Sequence, residues 1–408
     1  MSDNRPTVYV GGRIPSTASA YNTRPTAIAP LTIRWGRKDA FDAPAPTTAT
    51  VEIALAPALR LPDSIAVGTY MWITVPRPGV GFAYVFTGTV RDISITAPTD
   101  PGGPATATIT ATDDVSTIKA ARLYRLTGGV WRDQPTVNVW PAESALDRIR
   151  RVIRAVQPNA AVNPLSSLTP TASKLLAARV RAVGNSDTPN NTNFSAWTLL
   201  TEALAAAAHT IHHTPTKTTA ADKRDTWTLV PWGEGTYANP LIPAAAVPSN
   251  GVRVSTSLGG RIDLIEVVYY PYGESFSGDV EWGLKEQYRS KTLRPSPQSS
   301  MRLTTALKAD PNGTPTGPDL LISRTTALLE RTRWDLTALT PRLTEAKYST
   351  IIDALLTPTT RVQNYITLTG LPQWLGLNTN AQTLTPLGGT LTWDGHHWNA
   401  TLTLTPRV

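Results

Sequence analysis

Three of the five histidines in the 408-residue chain lie close together, at positions 209, 212 and 213. We expect this segment to be the end of a helix, where spacings of three and four would put His209 beside His212 or His213 as metal ligands. The dipole at a helix C-terminus also favours histidine without any metal. Because no Asp, Glu or Cys stands at the local spacing of a zinc site, we favour this second interpretation. His396 and His397 follow a predicted tight turn and are expected to face solvent.

Two carboxylate pairs could in principle exchange protons. Asp113 and Asp114 are adjacent at the end of a predicted strand, so their side chains should point to opposite faces. They form a poor acid–base pair and are more typical of a strand terminus. Glu281 and Glu286 lie in a long polar segment. Glycoside hydrolysis needs two carboxylates at a defined separation, which spacing in the chain does not supply.

Motifs for other chemistries are missing from the sequence. Gly259-Gly260 is surrounded by neither a dinucleotide-binding nor a Walker pattern, and it is typical of a bend or bulge. No GxSxG segment is present. The lack of cysteine excludes disulfides, cysteine-ligated zinc, iron–sulfur clusters and thiol catalysis. We therefore predict no enzyme activity, no catalytic residues, no metal site and no cofactor.

Tryptophan and arginine could bind sugars or nucleic acid. The sequence has 12 Trp, but Trp35, Trp72, Trp227 and Trp393 stand in alternating strands, which predicts packing in the core. The arginines of a helix at 142–156 could meet phosphates. A solvated face of an amphipathic helix is the interpretation that we favour, so we predict no sequence-specific nucleic-acid binding.

The elements that must position these residues are mostly strands. Threonine makes up about 15% of the chain, and with Val, Ile, Trp and Tyr it favours half-exposed pleated surfaces. The first predicted strands are 31–36, 48–56, 69–75, 82–96 and 105–113, with a hairpin loop at 97–104. We expect them to form a small sandwich or barrel, domain I, over 31–115, after an N-terminal arm at 1–30.

The middle of the chain has helical periodicity. Apolar residues recur every three or four positions in a helix near 142–156, and a second helix near 195–208 begins at Ser195, a plausible N-cap. A strand is predicted at 226–232 and a proline-marked boundary at 240–250. The interval 116–250 is therefore predicted to be a mixed α/β domain.

Strands return in the last part, 251–408, which we predict to be a second β-barrel domain. It contains a long polar loop at 273–318 and helices near 319–333 and 344–356. The chain closes on strands at 360–372, 383–395 and 396–408, the last two joined around Asp394-Gly395. The fold class is thus β-rich α+β, with β segments at both ends around a mixed middle region.

Length, charge and hydropathy limit the remaining classes. At roughly 150 residues per domain, the length predicts two to four domains. No secretory signal is visible, and no apolar run reaches the roughly 20 residues of a membrane span. We expect a soluble protein made in a cytoplasm. The net charge of +8 favours mild attraction to polyanions, although arginine use in a GC-rich genome is the explanation that we favour.

The succession of segments resembles the minor tail proteins of phages that infect actinobacteria. The resemblance rests on LTIRWGRKDAFDAPAPTTATVEIAL (31–55), the strands within 86–123, the 195–208 helix, RVQNYITLTGLP (361–372) and GGTLTWDGHHWNATLTLTP (388–406). Such proteins correspond to the tail-hub, or baseplate-hub, proteins of long-tailed phages. The resemblance implies two tail-tube-like barrels flanking the middle region, so that three copies present six barrels to a hexameric tube.

We therefore predict a structural virion protein at the distal end of a phage tail, assembled in the host cytoplasm. As a homotrimeric hub, it would link the tail tube and tape-measure protein to receptor-binding or fibre proteins. We expect ring contacts from the hairpin 82–113 and strands 388–406, and a partner-binding feature from 273–318. The alternatives are a carbohydrate- or receptor-binding tail component, a hexameric distal tail protein, and a peptidoglycan hydrolase that uses Glu281 and Glu286.

Overall fold

The computed structural model describes most of the chain. The described residues are 4–14, 26–57, 59–77, 81–98, 100, 102–123, 126–127, 130–131, 140, 142–166, 168–181, 183, 194–214, 226–234, 241–243, 262–271, 286–309, 317–330, 342–361, 365–370 and 381–406.

The N-terminal third forms strands. They are β1 (Thr7–Val10), β2 (Arg13–Ile14), β3 (Thr26–Gly36), β4 (Thr48–Leu55), β5 (Tyr70–Arg77), β6 (Gly81–Thr96) and β7 (Ala105–Thr112). Alternation in the sequence explains them, because on β7 Ala107, Ile109 and Ala111 are fully buried while the threonines between them are half-exposed.

The middle of the chain alternates helices and short strands. These elements are α1 (Val115–Ala120), β8 (Arg122–Leu123), β9 (Leu126–Thr127), β10 (Val130–Trp131), β11 (Glu143–Ser144), α2 (Ala145–Val156), β12 (Ala161–Pro164), α3 (Pro170–Ala177), β13 (Arg179–Val180), β14 (Phe194–Ser195), α4 (Ala196–Ala207), β15 (His209–Thr214), β16 (Thr226–Pro231) and β17 (Leu241–Pro243). Ser144 and Ser195 cap α2 and α4, each accepting a hydrogen bond from the backbone N–H three residues on.

The described part of the last third consists of strands and three helices. Its elements are β18 (Leu264–Pro271), β19 (Gln287–Thr292), β20 (Ser300–Ala309), α5 (Gly317–Glu330), β21 (Arg342–Thr344), α6 (Glu345–Leu355), α7 (Pro358–Arg361), β22 (Ile366–Thr369), β23 (Ala381–Trp393) and β24 (Trp398–Pro406). β23 and β24 form a hairpin around Gly395, whose positive φ of 104° suits a residue without Cβ.

Strands from both ends of the chain form one sheet. Within the described residues this sheet has 12 strands, in the order β17-β22-β23-β3-β4-β7-β6-β5-β1-β2, with β24 paired to β23 and β21 to β24. The pairing of β3 with β23 joins the two ends of the chain. The pairings are antiparallel except that of β17 with β22. One hydrophobic core lies against this sheet, and α6 contributes Ile352 and Leu355 to it.

A second core occupies the middle of the chain. α2 and α4 pack on each other and on a five-stranded sheet of order β11-β13-β20-β18-β19. A three-stranded sheet, β12-β16-β15, lies beside them and buries Trp227 completely. The described part of the chain is thus β-rich, with large antiparallel sheets and few helices.

Three predicted elements differ from the structure. The interval 273–318, predicted as a loop, contains the exposed strand β19 and the half-buried strand β20, because both pair with the apolar β18. The predicted arm at 1–30 contains β1, which pairs with β5, and the start of β3. The histidine segment is strand β15, because Ala208 adopts a left-handed conformation (φ 52°) that ends α4.

Hydrogen bonding also groups the last third differently from the predicted interval 251–408. β18, β19 and β20 belong to the middle sheet, whereas β21 to β24 join the N-terminal strands. The predicted boundary at 250 lies outside the described residues and stays a prediction.

Candidate assembly surface

Threonines line the outer face of the 12-stranded sheet. One row of cross-strand partners runs through Thr392, Thr32, Thr50, Thr110 and Asp92 on β23, β3, β4, β7 and β6. The threonines in this row are half-exposed, while their neighbours along each strand are buried in the core. Threonine keeps a hydroxyl in water and still has a high β propensity. The abundance of threonine therefore reflects a broad, polar and sparsely charged sheet face.

β6 ends in an exposed edge. Residues 81–89 pair with β5 on one side, whereas residues 92–96 pair with β7 on the other, after a bulge between Val90 and Asp92. No described strand occupies the second edge of residues 92–96. Ile95 is 57% exposed although its cross-strand partner Ala107 is fully buried. An apolar side chain beside an unpaired strand edge is a template for another chain.

Aromatic rings cluster on the outer face of β1, β5 and β6. Tyr9 and Trp72 stack with ring centroids 5.0 Å apart, and Tyr70 lies 6.2 Å from Trp72. Phe82, which is 50% exposed, meets Tyr84 edge to face at 5.6 Å. Burial, with a smaller contribution from nearby Tyr9, raises the pKa of the Tyr84 hydroxyl. Tyr, Trp and Phe are enriched at the centres of protein interfaces.

The N-terminal strand is held against the C-terminal part of the chain. Asn4 Nδ2 donates hydrogen bonds to Glu345 Oε1 (2.5 Å) and Asp353 Oδ1 (2.9 Å). Arg77, at the end of β5, donates to the same Asp353 carboxylate at 2.7 Å. This network ties α6 to the segment before β1 and to the end of β5.

Comparison with known proteins identifies the fold. No family model and no curated protein matches the sequence. A 43 kDa tail protein of prophage MuSo2 from Shewanella oneidensis superimposes with a TM-score of 0.58 at 9% identity, covering 99% of this chain and 98% of its own. A tail protein from Neisseria meningitidis gives 0.52 at 11% identity, covering 98% and 96%. The fold is one that phage tail proteins use.

The predicted histidine cluster is a packing feature in this tail-protein fold. His209 Nδ1 donates to the carbonyl oxygen of Ala207 at 2.6 Å. Burial lowers the pKa of His209 to about 4 and that of His212 to about 3, so both are neutral near pH 7. His213 packs against Trp227 and lies 3.7 Å from Asp114. Among the described residues, no three His, Asp or Glu side chains are placed to hold a metal ion.

The predicted carboxylate pairs have structural partners. Asp113 is buried where β7 ends, and it accepts a hydrogen bond from the N–H of Val115 at 3.2 Å. Burial raises its pKa to about 6, with nearby His213 opposing the shift. Glu286 accepts hydrogen bonds from Tyr288 (3.1 Å) and Arg302 (3.2 Å). Glu281 lies outside the described residues.

The arginines of α2 bind groups of the protein itself. Arg148 and Arg151 both pair with Glu143, at 2.8 and 2.9 Å. Arg150 and Arg154 donate to the carbonyl oxygens of Val162 and Ala160. This use of the donors supports the structural interpretation of the helix over one of phosphate binding. No helix of the described part is long and apolar enough to cross a membrane.

The sequence predicted core packing for four tryptophans, and the structure buries three of them. Trp35, Trp227 and Trp393 are buried as predicted. Trp72 instead belongs to the half-exposed aromatic face, and its alternation with the buried Met71 and Ile73 was the signal that could have shown it. The free edge of β6 arises because β5, the strand before it, is 8 residues long and pairs only with residues 81–89 of the 16-residue β6.

Proposed function

We propose that this protein is a structural component of a phage tail, acting as a homotrimeric hub. The observation that carries the proposal is the likeness to two tail proteins over nearly the full length of each chain. The proposal therefore rests on analogy of fold with these tail proteins.

The way in which the sheet is built supports the proposed trimer. β1 to β7 come from the start of the chain and β21 to β24 from its end, and they meet at β3 and β23. We infer that these two strand groups are the two tail-tube-like barrels of the resemblance. Three copies would then present six similar units, which matches a six-fold tube.

Ring closure would use two strand edges of this sheet that no described strand covers. Residues 92–96 of β6 carry the exposed Ile95, and residues 402–406 of β24 extend beyond its pairing with β21. An edge on one copy that meets a different edge on the next makes a head-to-tail contact, and such contacts close into rings. In the virion, the hub would join tail tube and tape-measure protein to receptor-binding or fibre proteins at the distal end.

Two measurements test the hub. Light scattering of the purified protein should give three times the monomer mass, whereas six times would identify the hexameric distal tail protein. Gold-labelled antibody should mark the distal tail end of intact particles. Labelling of the head or the whole tube would overturn the hub and keep a virion role. If the protein is found free of all particles, both the hub and the virion role would be overturned.

A carbohydrate- or receptor-binding role is the second candidate, and the aromatic face of β1, β5 and β6 favours it. Aromatic rings stack on sugar faces as they do on bases. Binding on a glycan array that Trp72→Ala abolishes would support this role. The peptidoglycan hydrolase alternative would need activity that Glu286→Gln or Glu281→Gln abolishes.

A further inference from the structure

β19 is ordered although it buries neither of its faces. All six residues from Gln287 to Thr292 are exposed, and β18 is the sole strand of the described chain that pairs with it. Ordering a backbone costs about 1–2 kcal/mol per residue, which one hydrogen-bond ladder offsets only in part. The outer edge of β19 therefore offers unpaired backbone groups in a fixed extended geometry, ready for a further strand.

Cationic side chains lie on β19, directly after it, and on β20, which β18 separates from β19. Lys291 is exposed, and three arginines each pair with one carboxylate while about half of their side chain stays exposed. They are Arg289 (54%) with Asp319, Arg294 (45%) with Asp263, and Arg302 (49%) with Glu286. A guanidinium has five N–H donors, so each arginine keeps donors directed to solvent. The carboxylates of a partner could accept from them.

The side chains at one end of β19 are already held in place. Arg302 lies 4.8 Å over the ring of Tyr288 and donates to its hydroxyl at 2.9 Å. The same hydroxyl donates to Glu286 at 3.1 Å. Tyr288 remains 53% exposed. Because these rotamers are fixed before binding, a partner would lose less side-chain entropy, and Tyr and Arg are the residues most often found in interface hot spots.

We propose that the free edge of β19 binds an extended acidic segment of a partner protein, which adds as a strand. Charge complementarity selects this occupant. A second copy of β19 would bring Arg289 and Lys291 against the same residues and would be repelled. The proposal does not depend on the trimeric hub, since β19 lies in the middle sheet and not in the 12-stranded one.

Peptide binding to the purified full-length protein tests this proposal. The probe is a fluorescent decapeptide of alternating Glu and Thr, measured by anisotropy at low and high salt. We expect it to bind and to weaken as salt rises, while a Lys-Thr peptide does not bind. The Glu-Thr peptide with an N-methyl group on every residue should also fail, because it has no backbone N–H to donate to the strand ladder. Equal binding by the methylated peptide would overturn strand addition.

Surface variants locate the site. The double variant Arg289→Gln with Lys291→Glu should weaken binding of the Glu-Thr peptide by about tenfold or more. Lys174→Glu changes an exposed cation on α3 and should leave binding unchanged. Circular dichroism confirms that each variant is folded. No binding of the Glu-Thr peptide up to about 1 mM, or equal weakening by Lys174→Glu, would overturn the proposal.

Discussion

The indole Nε1 of Trp398 donates a hydrogen bond of 2.8 Å to the backbone carbonyl oxygen of Asn4. The two residues lie near opposite ends of the chain, and Trp398 is fully buried. Glu345 joins them, because its carboxylate accepts both from the Asn4 amide and from the backbone N–H of Trp398. The strands before β3 are thereby fixed to the last hairpin of the chain.

This contact makes Asn4 a stability determinant. Asn4→Ala removes the amide that donates to Glu345 and Asp353 and leaves both carboxylates with one donor fewer. We expect the free energy of unfolding to fall by about 1–3 kcal/mol, measured by urea denaturation. Ser349→Ala, an exposed change on α6, serves as the control and should have little effect. Equal values for the two variants would show that the network does not stabilise the fold.

A charged substitution at the free edge of β6 should prevent assembly of the trimer. Ile95→Glu places a charge on an exposed side chain and should leave the monomer folded while preventing the ring from closing. Light scattering should then report the monomer mass. Tyr288 is 53% exposed and lies on β19 in the middle sheet, so Tyr288→Glu is the control. A trimer that survives Ile95→Glu would remove β6 from the proposed interface.

Replacing Arg361, which lies in the core of the 12-stranded sheet, should strongly destabilise the fold. It is buried, lies 5.0 Å over the ring of Trp35, and donates to the carbonyl oxygens of Leu355 (2.6 Å) and Val85 (3.2 Å). Arg361→Ala leaves a cavity and two unsatisfied acceptors, so we expect a loss of about 2–4 kcal/mol.

Arg361→Met, which fills more of the space, should cost less than Arg361→Ala in the same denaturation experiment. If alanine and methionine cost the same, the hydrogen bonds of Arg361 matter and its packing does not.

The lowered pKa values of two histidines predict how stability depends on pH. His209 and His212 have pKa values of about 4 and about 3 in the folded protein, below the ordinary 6.5. Below pH 6.5 the unfolded chain therefore binds more protons, and stability should fall by about 1–2 kcal/mol per histidine between pH 7 and pH 5.

Asp113 acts in the opposite direction, because its pKa is raised from 3.8 to about 6 and the folded state takes up its proton first. Urea denaturation at pH 7 and pH 5 should show a net loss of stability at pH 5, because the two histidines outweigh Asp113. His209→Gln with His212→Gln should reduce this loss, and Asp113→Asn should increase it. A wild-type stability that does not change between the two pH values would contradict these assignments.

Local signals in the sequence placed several elements well. Ser195 caps α4, which lies within the predicted 195–208, and the Asp394-Gly395 turn joins β23 to β24. Both depend on interactions within a few residues. The prediction that the histidine segment is helical was wrong, because Ala208 adopts a left-handed conformation and ends α4 one residue before His209. Nothing in the residue types around Ala208 signals that conformation, which packing imposes.

The sequence by itself determined the β-rich class, the threonine-lined strands and the absence of an enzyme motif, because alternation, propensity and motif spacing are local properties. Tertiary structure alone decided that β3 pairs with β23, that Asn4 meets Trp398, and that no described strand covers the outer edges of β19 and of the end of β6. Strand partners are chosen by burial and register across hundreds of residues. No local pattern encodes which edge a distant strand will cover.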